Sequence, residues 1–169
     1  ADEIYHQLLE SSCPMRKEIL KKFPEAKGEN GGVDRRRLAR IVFIDDQKLD
    51  ALGAITYPYV IEKIEELLGD CYCKNQPMVT IDAIGLFESG ADTLCDVTLG
   101  VLAPIETRVR RVSARDRISE LRAKERILAQ PEDSFYEKRC DYIIRNDDDV
   151  SVEAEAERIY QVIMEGRAK

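Results

Sequence analysis

The sequence predicts an α/β protein built on a parallel sheet, and three short apolar runs carry that prediction. The runs cover residues 78–84, 97–102 and 142–144, and they are rich in β-branched side chains. Nearly continuous apolar strands separated by helices are typical of a parallel sheet with helices on both of its faces. Ligands of such folds bind at the carboxyl ends of the strands, so we expect functional side chains to lie there.

The chain before the first of these runs has apolar residues at helical spacing. Apolar residues predict a helix over residues 3–12. Pro14 fits the first turn of a second helix, because its missing N–H and fixed φ suit that position. The N-cap of this second helix is expected to be Ser12 or Cys13.

Carboxylates mark the start of the next helices. Asp34 is expected to cap a third helix, and Asp45 or Asp46 to cap a short fourth one. Residues 56–58, with the sequence Thr-Tyr-Pro, are expected to interrupt the helix, since the residue before proline avoids helical geometry. A longer helix is predicted to follow that turn.

Composition restricts the class of protein. The 169 residues are 44% hydrophobic and 35% charged, with a net charge of −7 and no apolar run near 18 residues. These values predict a globular protein without a membrane span, and they argue against a protein that coats nucleic acid through a broad basic face. The five cysteines are scattered and His6 is the only histidine, so no metal site built from side chains is predicted. We expect free thiols and a cytoplasmic protein, as a monomer or a weak homo-oligomer.

A cluster of basic residues contrasts with this acidic background. Between residues 108 and 126, eight basic side chains face three acidic ones. Arginine suits phosphate oxygens, because its planar guanidinium donates two parallel hydrogen bonds and keeps its charge. The cluster predicts a polyanion-binding surface; the alternative is a solvated helix face with intrahelical ion pairs.

Three of these arginines share one face of a predicted helix. Arg108, Arg111 and Arg115 recur at positions i, i+3 and i+7. Their segment, residues 105–130, follows the second apolar run and contains a second helix through Arg126. Such a row is typical of a mobile lid, which brings positive charge to a transferring phosphoryl group and excludes water.

With these features together, the sequence resembles the dephospho-CoA kinase family. The resemblance rests on motifs that occur in order through nearly the whole chain, and their order makes it specific. The matching pieces are Ala1-Asp2-Glu3-Ile4, Gly32-Val33-Asp34-Arg35, Ile55-Thr56-Tyr57-Pro58, Asp82 through Leu86-Phe87-Glu88, Arg111-x-x-x-Arg115-Asp116, Arg126-x-x-x-Gln130, and the closing Glu137-Lys138, Asp141 and Asn146.

The chain also departs from that family's pattern. Tyr57 stands where the family usually has histidine, Ile84 and Gly85 replace a Pro-Leu pair, and Arg108 replaces a usual glutamine. No Gly-x-x-x-x-Gly-Lys-Ser/Thr motif occurs in the sequence, whereas the family carries this P-loop on its first strand and helix. We therefore expect the first strand and the P-loop to be missing, and the 169 residues alone to be inactive in phosphoryl transfer.

The resemblance implies a single kinase-like domain over residues 1–169. Its fold would be a three-layer, P-loop-kinase-like parallel sheet with helices on both faces. Residues 3–76 would form a helical acceptor-binding insertion and residues 105–130 a helical lid. Residues 77–104 and 131–169 would form the core.

The resemblance also implies an activity, the ATP-dependent phosphorylation of the 3′-hydroxyl of dephospho-CoA with Mg²⁺. This reaction is the last step of coenzyme A biosynthesis. The partners would be these two small molecules, with no nucleic acid and no membrane. The alternatives are a non-catalytic nucleotide- or CoA-binding or interaction domain derived from the same fold, and a related nucleotide kinase with another acceptor.

The catalytic residues that the resemblance implies are Asp2, Arg111 and Arg115. Asp2 would be the general base for the attacking hydroxyl, or only the N-cap of the first helix. Arg111 and Arg115 would stabilise phosphate charge, or only form surface ion pairs with Asp116 or Glu120.

The implied substrate-binding residues are Arg35, Tyr57, Asp82 and Glu88. Arg35 would contact a substrate phosphate. Asp82 and Glu88 would hold a magnesium-bound water or an arginine of the lid, or would be paired structurally at a strand end.

The implied nucleotide-binding residues are Arg108 and Asn146. Asn146 would lie in a loop against adenine, or would be an ordinary turn residue.

Overall fold

The computed structural model describes residues 1–11, 13–147 and 151–167 of the chain, which form two compact units. The first unit is Ala1–Cys95 and the second is Asp96–Lys169. Ser12, one of the two expected N-cap residues, lies outside the described residues. Every helix within these ranges is too short or too polar to cross a lipid bilayer.

The first unit is helical and has its own core. Its helices are α1 (Asp2–Glu10), α2 (Pro14–Lys22), α3 (Arg35–Val42), α4 (Asp46–Cys73) and α5 (Leu86–Ser89). Burying a large apolar side chain contributes about 1.5–3 kcal/mol, so a shared core holds α1 to α4 together. The buried core residues are Leu9, Met15, Ile19, Phe23, Ala26, Leu38 and Val42.

Side-chain caps begin α3 and α4 as the sequence predicts. The Asp34 carboxylate accepts hydrogen bonds from the backbone N–H groups of Arg36 and Arg37 at 2.9 and 3.0 Å. Asp45, and not Asp46, caps α4. Each cap satisfies N–H groups that have no partner within the helix.

The predicted interruption at residues 56–58 is wrong, because α4 is one helix of 28 residues with Pro58 inside it. A proline in a helix removes one hydrogen bond and crowds the carbonyl four residues earlier, at a cost of about 3 kcal/mol. Packing on both sides of Pro58 outweighs that cost: Leu52, Ile55 and Tyr59 pack against the core, and Ile64 is buried.

The predicted strand over residues 78–84 is also wrong. These residues form no strand and lie in non-helical chain, which ends in a turn, between α4 and α5. A β-branched, apolar composition favours a strand only where a neighbouring backbone lies about 4.8 Å away. Here the carbonyl oxygen of Asp82 accepts a hydrogen bond from the Ala1 nitrogen at 2.7 Å instead.

The second unit contains the parallel sheet. Strands β1 (Leu99–Leu102) and β2 (Tyr142–Arg145) pair in parallel, with Leu102 opposite Arg145 at their carboxyl ends. The other two predicted strands are therefore confirmed, with small shifts of their ends, and so is the α/β class. The helices of this unit are α6 (Ile105–Asp116), α7 (Glu120–Leu128), α8 (Asp133–Glu137) and α9 (Val152–Arg167).

Helices α6 and α7 form the basic segment, which confirms that residues 105–130 are helical. They pack closely on each other, and the buried side chains of Ala123 and Ile127 lie on α7. Arg117 ends α6 in a left-handed conformation with φ 53°, which reverses the chain before α7. The functional division of the chain into acceptor-binding segment, core and lid stays a prediction.

Candidate active site

The predicted site residues fall into one group in each unit. The first group is Asp2, Arg35, Tyr57, Asp82 and Glu88, and the second is Arg108, Arg111, Arg115 and Asn146.

The start of α1 brings two predicted carboxylate residues together. Asp2 is the first residue of the helix and Ala1 is its N-cap, so Asp2 is not the cap. The hydrogen bond from the Ala1 nitrogen to the Asp82 carbonyl ties this end of α1 to the chain before α5. The Asp2 carboxylate is exposed there, at a helix N-terminus that interacts favourably with a negative charge.

Tyr57 and Glu88 also lie close together. The Tyr57 ring lies over Gly53, one turn earlier in α4, where a Cβ atom would come within 2.8 Å of the ring. A Cβ atom on Gly85 would lie 3.8 Å from the Tyr57 hydroxyl and 3.9 Å from Glu88 Oε2. Burial, followed by the carboxylates of Glu88 and Asp50, raises the pKa of Tyr57. The hydroxyl therefore stays protonated and is a hydrogen-bond donor.

Arg35 lines a cleft between α1, α3 and α4. The cleft has a volume of about 690 Å³, and Arg36, Phe43 and Tyr5 also line it. Burial raises the pKa of Tyr5, while the nearby Arg35 guanidinium lowers it, which places these two side chains within electrostatic reach of each other. A volume of this size suits a small-molecule ligand.

The second unit has a smaller pocket lined by arginines. It has a volume of about 230 Å³, and Arg108, Arg111, Arg115 and Arg126 line it together with Asp116. The three arginines predicted to share a helix face therefore reach the same pocket. Four guanidinium groups against one carboxylate give it a strong positive charge, which suits a phosphate group.

Asp116 pairs with two of these arginines. Its carboxylate accepts hydrogen bonds from Arg115 Nε at 2.8 Å and from Arg126 Nη1 at 2.8 Å. The hydrogen bond from Arg115 is the largest cause of the lowered pKa of Asp116, and Arg126 adds to it. The ion pair between Arg115 and Asp116, which is the alternative to a role in stabilising phosphate charge, thus forms in this structure. The Arg115 side chain nevertheless remains 75% exposed.

Arg108 has an incompletely satisfied guanidinium group. Its Nη2 donates to Asp133 Oδ1 at 3.1 Å, across from α6 to α8. Its buried Nε has no hydrogen-bond partner within the described part of the chain. A buried donor of a charged group without a partner is costly, and an anionic ligand oxygen would relieve that cost.

Arg111 and Asn146 meet where the strands end. Arg111 Nη1 donates to the side-chain oxygen of Asn146 at 3.0 Å and to its backbone carbonyl at 3.3 Å. The backbone N–H of Asn146 donates to the Leu102 carbonyl at 2.6 Å, which extends the parallel pairing by one residue past the end of β2. Asn146 is therefore fixed beside the arginine pocket, at the carboxyl end of the sheet.

Several lining residues were missed by the sequence reasoning as site residues. Tyr5 stands three residues after Asp2 on the same helix, a spacing that could have found it. Arg36 follows Arg35 directly, and the sequence does not indicate that both of these arginines line the cleft. The sequence marks Arg126 only as part of a motif, because its approach to Asp116 depends on the turn between α6 and α7.

No group of three or more His, Cys, Asp or Glu side chains converges on a possible metal position in residues 1–11, 13–147 and 151–167. Mg²⁺ in kinases is bound chiefly by substrate phosphates and water with one or two carboxylates, so it needs no such group. The exposed carboxylates of Asp2, Asp82 and Glu88 are oxygen ligands of the kind that Mg²⁺ accepts.

Comparisons with known proteins agree on one family. The dephospho-CoA kinase family model matches residues 1–151. The chain is 33% identical over 145 residues to the dephospho-CoA kinase of Moorella thermoacetica, covering 85% of this chain and 68% of that protein.

Solved structures give the same result for the fold. The crystal structure of TT1252 from Thermus thermophilus aligns with a TM-score of 0.76 and 32% identity, over 98% of this chain and 81% of that one. Dephospho-CoA kinase from Campylobacter jejuni aligns with a TM-score of 0.63 and 26% identity, over 98% and 84% of the two chains. The fold is thus that of the P-loop-kinase-like class. With a match over residues 1–151 and this structural likeness, the chain belongs to the dephospho-CoA kinase family.

Proposed function

We propose that the protein is an ATP-dependent dephospho-CoA kinase, which transfers the γ-phosphoryl group of ATP to the ribose 3′-hydroxyl of dephospho-CoA. The products are coenzyme A and ADP. The observation that carries the proposal is the family match over residues 1–151. The arginine pocket of the second unit supports it, because a kinase needs concentrated positive charge where phosphate oxygens bind.

The proposed chemistry is an in-line displacement at the γ-phosphorus. The ribose 3′-oxygen forms a bond to the γ-phosphorus, and the bond from that phosphorus to the β,γ-bridging oxygen breaks. The Asp2 carboxylate takes the proton of the 3′-hydroxyl as general base. Its exposed position at the start of α1 leaves room for the acceptor ribose.

Arg108, Arg111 and Arg115 have the role of charge stabilisation in this proposal. They line one pocket and follow the carboxyl end of β1, where ligands of α/β folds bind. Arg111 also holds Asn146 by two hydrogen bonds, which would orient Asn146 toward the adenine ring of the nucleotide. Residues 105–130 would act as a lid that completes the site when it closes.

The acceptor would be held by the first unit. Arg35 would contact a phosphate of dephospho-CoA, and the neutral Tyr57 hydroxyl would donate a hydrogen bond beside Glu88. Mg²⁺ would be held by the ATP phosphates, with Asp82 or Glu88 accepting hydrogen bonds from a metal-bound water. The ion would supply charge neutralisation at those phosphates.

We place the reaction in the cytoplasm, with ATP and dephospho-CoA as the partners and without nucleic acid or membrane. Free thiols on Cys13, Cys71, Cys73, Cys95 and Cys140 are consistent with a reducing compartment. A monomer or a weak homo-oligomer is the expected state.

Release of ADP in the presence of different acceptors tests the proposal. The full-length protein with MgATP is supplied with dephospho-CoA, with a nucleoside monophosphate, or with no acceptor. We expect ADP release to depend on dephospho-CoA. Faster release with the nucleoside monophosphate would favour a related nucleotide kinase, and binding of both substrates without release would favour a non-catalytic domain.

A further inference from the structure

The arginines that line the pocket of the second unit differ in what holds them. Arg115 and Arg126 both pair with Asp116, so these three side chains are held within α6 and α7. Arg108 instead pairs with Asp133, which lies in the first turn of α8. Arg108 is therefore fixed by a residue outside the predicted lid segment.

The pair of Arg108 with Asp133 is better shielded from water than the two pairs of Asp116. The Arg108 side chain is 23% exposed, whereas those of Arg115 and Arg126 are 75% and 61% exposed. Salt and water weaken exposed ion pairs, and they screen partly buried pairs much less. Arg108 is therefore held in place more firmly than the other two arginines.

Asp133 is the acceptor that holds this guanidinium group. Arg108 Nη2 donates to Asp133 Oδ1 at 3.1 Å, and no other residue in the described part of the chain accepts a hydrogen bond from Arg108. The Arg108 Nε is buried and has no partner among those residues. A buried cationic group is costly when no acceptor faces it, so without Asp133 the guanidinium group would turn toward water.

The chain between α7 and α8 places Asp133 beside the pocket. Gln130 lines the pocket together with Arg108, and Asp133 follows it by three residues. The first turn of α8 is fixed by a hydrogen bond from the Phe135 N–H to the Glu132 carbonyl at 2.9 Å. Asp133 itself does not line the pocket, so it contacts Arg108 from outside the space that a ligand would fill.

We propose that Asp133 is a positioning residue of the nucleotide site. It holds the Arg108 guanidinium at the wall of the pocket before the triphosphate of ATP binds, so this charge needs no reorganisation on binding. It acts through Arg108 and does not touch the nucleotide. The inference rests on the proposed function, because it names the residue that orients one of the arginines assigned there to phosphate charge.

Titration calorimetry of the full-length protein with the magnesium complex of β,γ-imido-ATP tests this assignment without an acceptor. The variants are Asp133→Ala, Asp133→Asn, Arg108→Gln and the double variant of Arg108→Gln with Asp133→Ala. The matched control is Glu132→Ala, which removes an exposed carboxylate next to Asp133 at the start of the same helix. The melting temperature of each variant shows whether it is folded during the titration.

We expect Asp133→Ala to raise the Kd about tenfold, because a charged contact that must first be oriented loses part of its contribution to binding. Asp133→Asn keeps an acceptor oxygen and should raise the Kd about threefold, whereas Glu132→Ala should change it less than about twofold. In the Arg108→Gln background, Asp133→Ala should add less than about twofold, since its effect passes through the arginine. If Asp133→Ala does not fold, Asp133→Asn with and without Arg108→Gln carries the same test.

Other results would overturn the assignment. An unchanged Kd in Asp133→Ala would mean that the pair only joins α6 to α8. A lower Kd would mean that Asp133 competes with phosphate for the arginine. An equal loss of affinity in the wild-type and Arg108→Gln backgrounds would mean that Asp133 does not act through Arg108.

Transfer to dephospho-CoA separates this inference from the proposed function. If the wild-type protein phosphorylates dephospho-CoA while Asp133→Ala keeps the wild-type Kd for β,γ-imido-ATP, the positioning role fails and the proposed function stands. If the Kd values follow the expected pattern while the wild-type protein phosphorylates no dephospho-CoA, the proposed function fails and the positioning role stands.

Discussion

At the scale of single residues, the position of Arg115 links the sequence motif to the proposed chemistry. Its guanidinium is paired with Asp116 and yet largely exposed, and it lines the same pocket as Arg108 and Arg111. An exposed ion pair contributes little to stability, so Arg115 can exchange its partner for a phosphate oxygen at small cost. In the proposed mechanism, the motif that contains Arg115 and Asp116 would therefore keep the exchangeable positive charge of Arg115 at the arginine-lined pocket.

The first prediction concerns Arg115→Ala in the full-length protein. We expect kcat to fall on the order of 10²-fold with less than about a threefold change in the KM for dephospho-CoA, because a lid arginine meets the phosphoryl group only in the closed transition state. Steady-state kinetics measures both constants. Arg122→Ala, an exposed arginine of α7 outside the pocket, is the control.

A surface role for Arg115 makes a different prediction. If it only pairs with Asp116, then kcat in Arg115→Ala stays within about threefold of wild type, as expected for an exposed pair. That result would remove the main link between the arginine cluster and catalysis.

The sequence could predict those site residues whose spacing along a helix shows that they share a face. The row of Arg108, Arg111 and Arg115 was predictable, because helical periodicity fixes which side chains share a face. The contact between Arg111 and Asn146 was not, since the two residues are 35 positions apart and meet only through the parallel pairing of β1 with β2. The cleft position of Tyr5 likewise depends on how α1 packs on α2 and α4.

At the scale of elements, cap residues in the sequence predicted where helices begin, but the proline in the sequence did not predict that α4 continues through it. Caps at Asp34 and Asp45 depend on a side chain and a backbone within three residues of each other. Helix α4 continues past Pro58 because side chains before and after the proline are buried. The proline by itself does not indicate this burial. The run 78–84 failed for a related reason, because a strand requires a partner that its own composition does not specify.

The second prediction follows from the exposed Pro58 inside α4. We expect Pro58→Ala to stabilise the protein by about 1–2 kcal/mol, since it restores a helical hydrogen bond worth more than the entropy that proline removes from the unfolded chain. Urea unfolding followed by circular dichroism measures the change. Glu65→Ala, at another exposed position of α4, should change the free energy of unfolding by less than about 0.5 kcal/mol.

A lower stability of Pro58→Ala than of wild type would contradict this argument. It would mean that the proline directs a bend on which the packing of α4 depends.

The third prediction concerns the start of the parallel pair. The Asp141 carboxylate accepts hydrogen bonds from the backbone N–H and the hydroxyl of Thr98, both at 2.8 Å, immediately before β1 and β2 begin. These bonds lower the pKa of Asp141. A carboxyl group whose pKa is lower in the folded state stabilises above its unfolded pKa of about 3.9 and loses that contribution as pH falls through the folded value.

Melting temperatures of wild type and Asp141→Asn as a function of pH test this linkage. The difference between them should be constant above about pH 5 and shrink as the pH falls below about 4, because Asp141 is protonated first in the unfolded chain and only at lower pH in the folded protein. Glu165→Gln, an exposed carboxylate of α9, should show no such trend. A difference of the same size at pH 3 and pH 7 would show that the charge of Asp141 does not contribute.

At the scale of the whole molecule, the charge distribution agrees with the proposed division of labour between the units. The chain has a net charge of −7, yet the pockets of both units are lined by arginines. Both proposed substrates are anions, and arginine-lined pockets in an acidic protein bind them locally without broad affinity for polyanions. The α/β class and the family could be predicted from sequence because ordered motifs span the chain.

The central claim is that the phosphoryl group of ATP is transferred to the ribose 3′-oxygen of dephospho-CoA. The most direct measurement is phosphorus–proton correlation NMR of the product formed by the full-length protein from MgATP and dephospho-CoA. We predict a new phosphate monoester coupled to the ribose H3′, with one such product for each ADP released. A phosphate on another hydroxyl group, or ADP released without a new ester, would contradict the account.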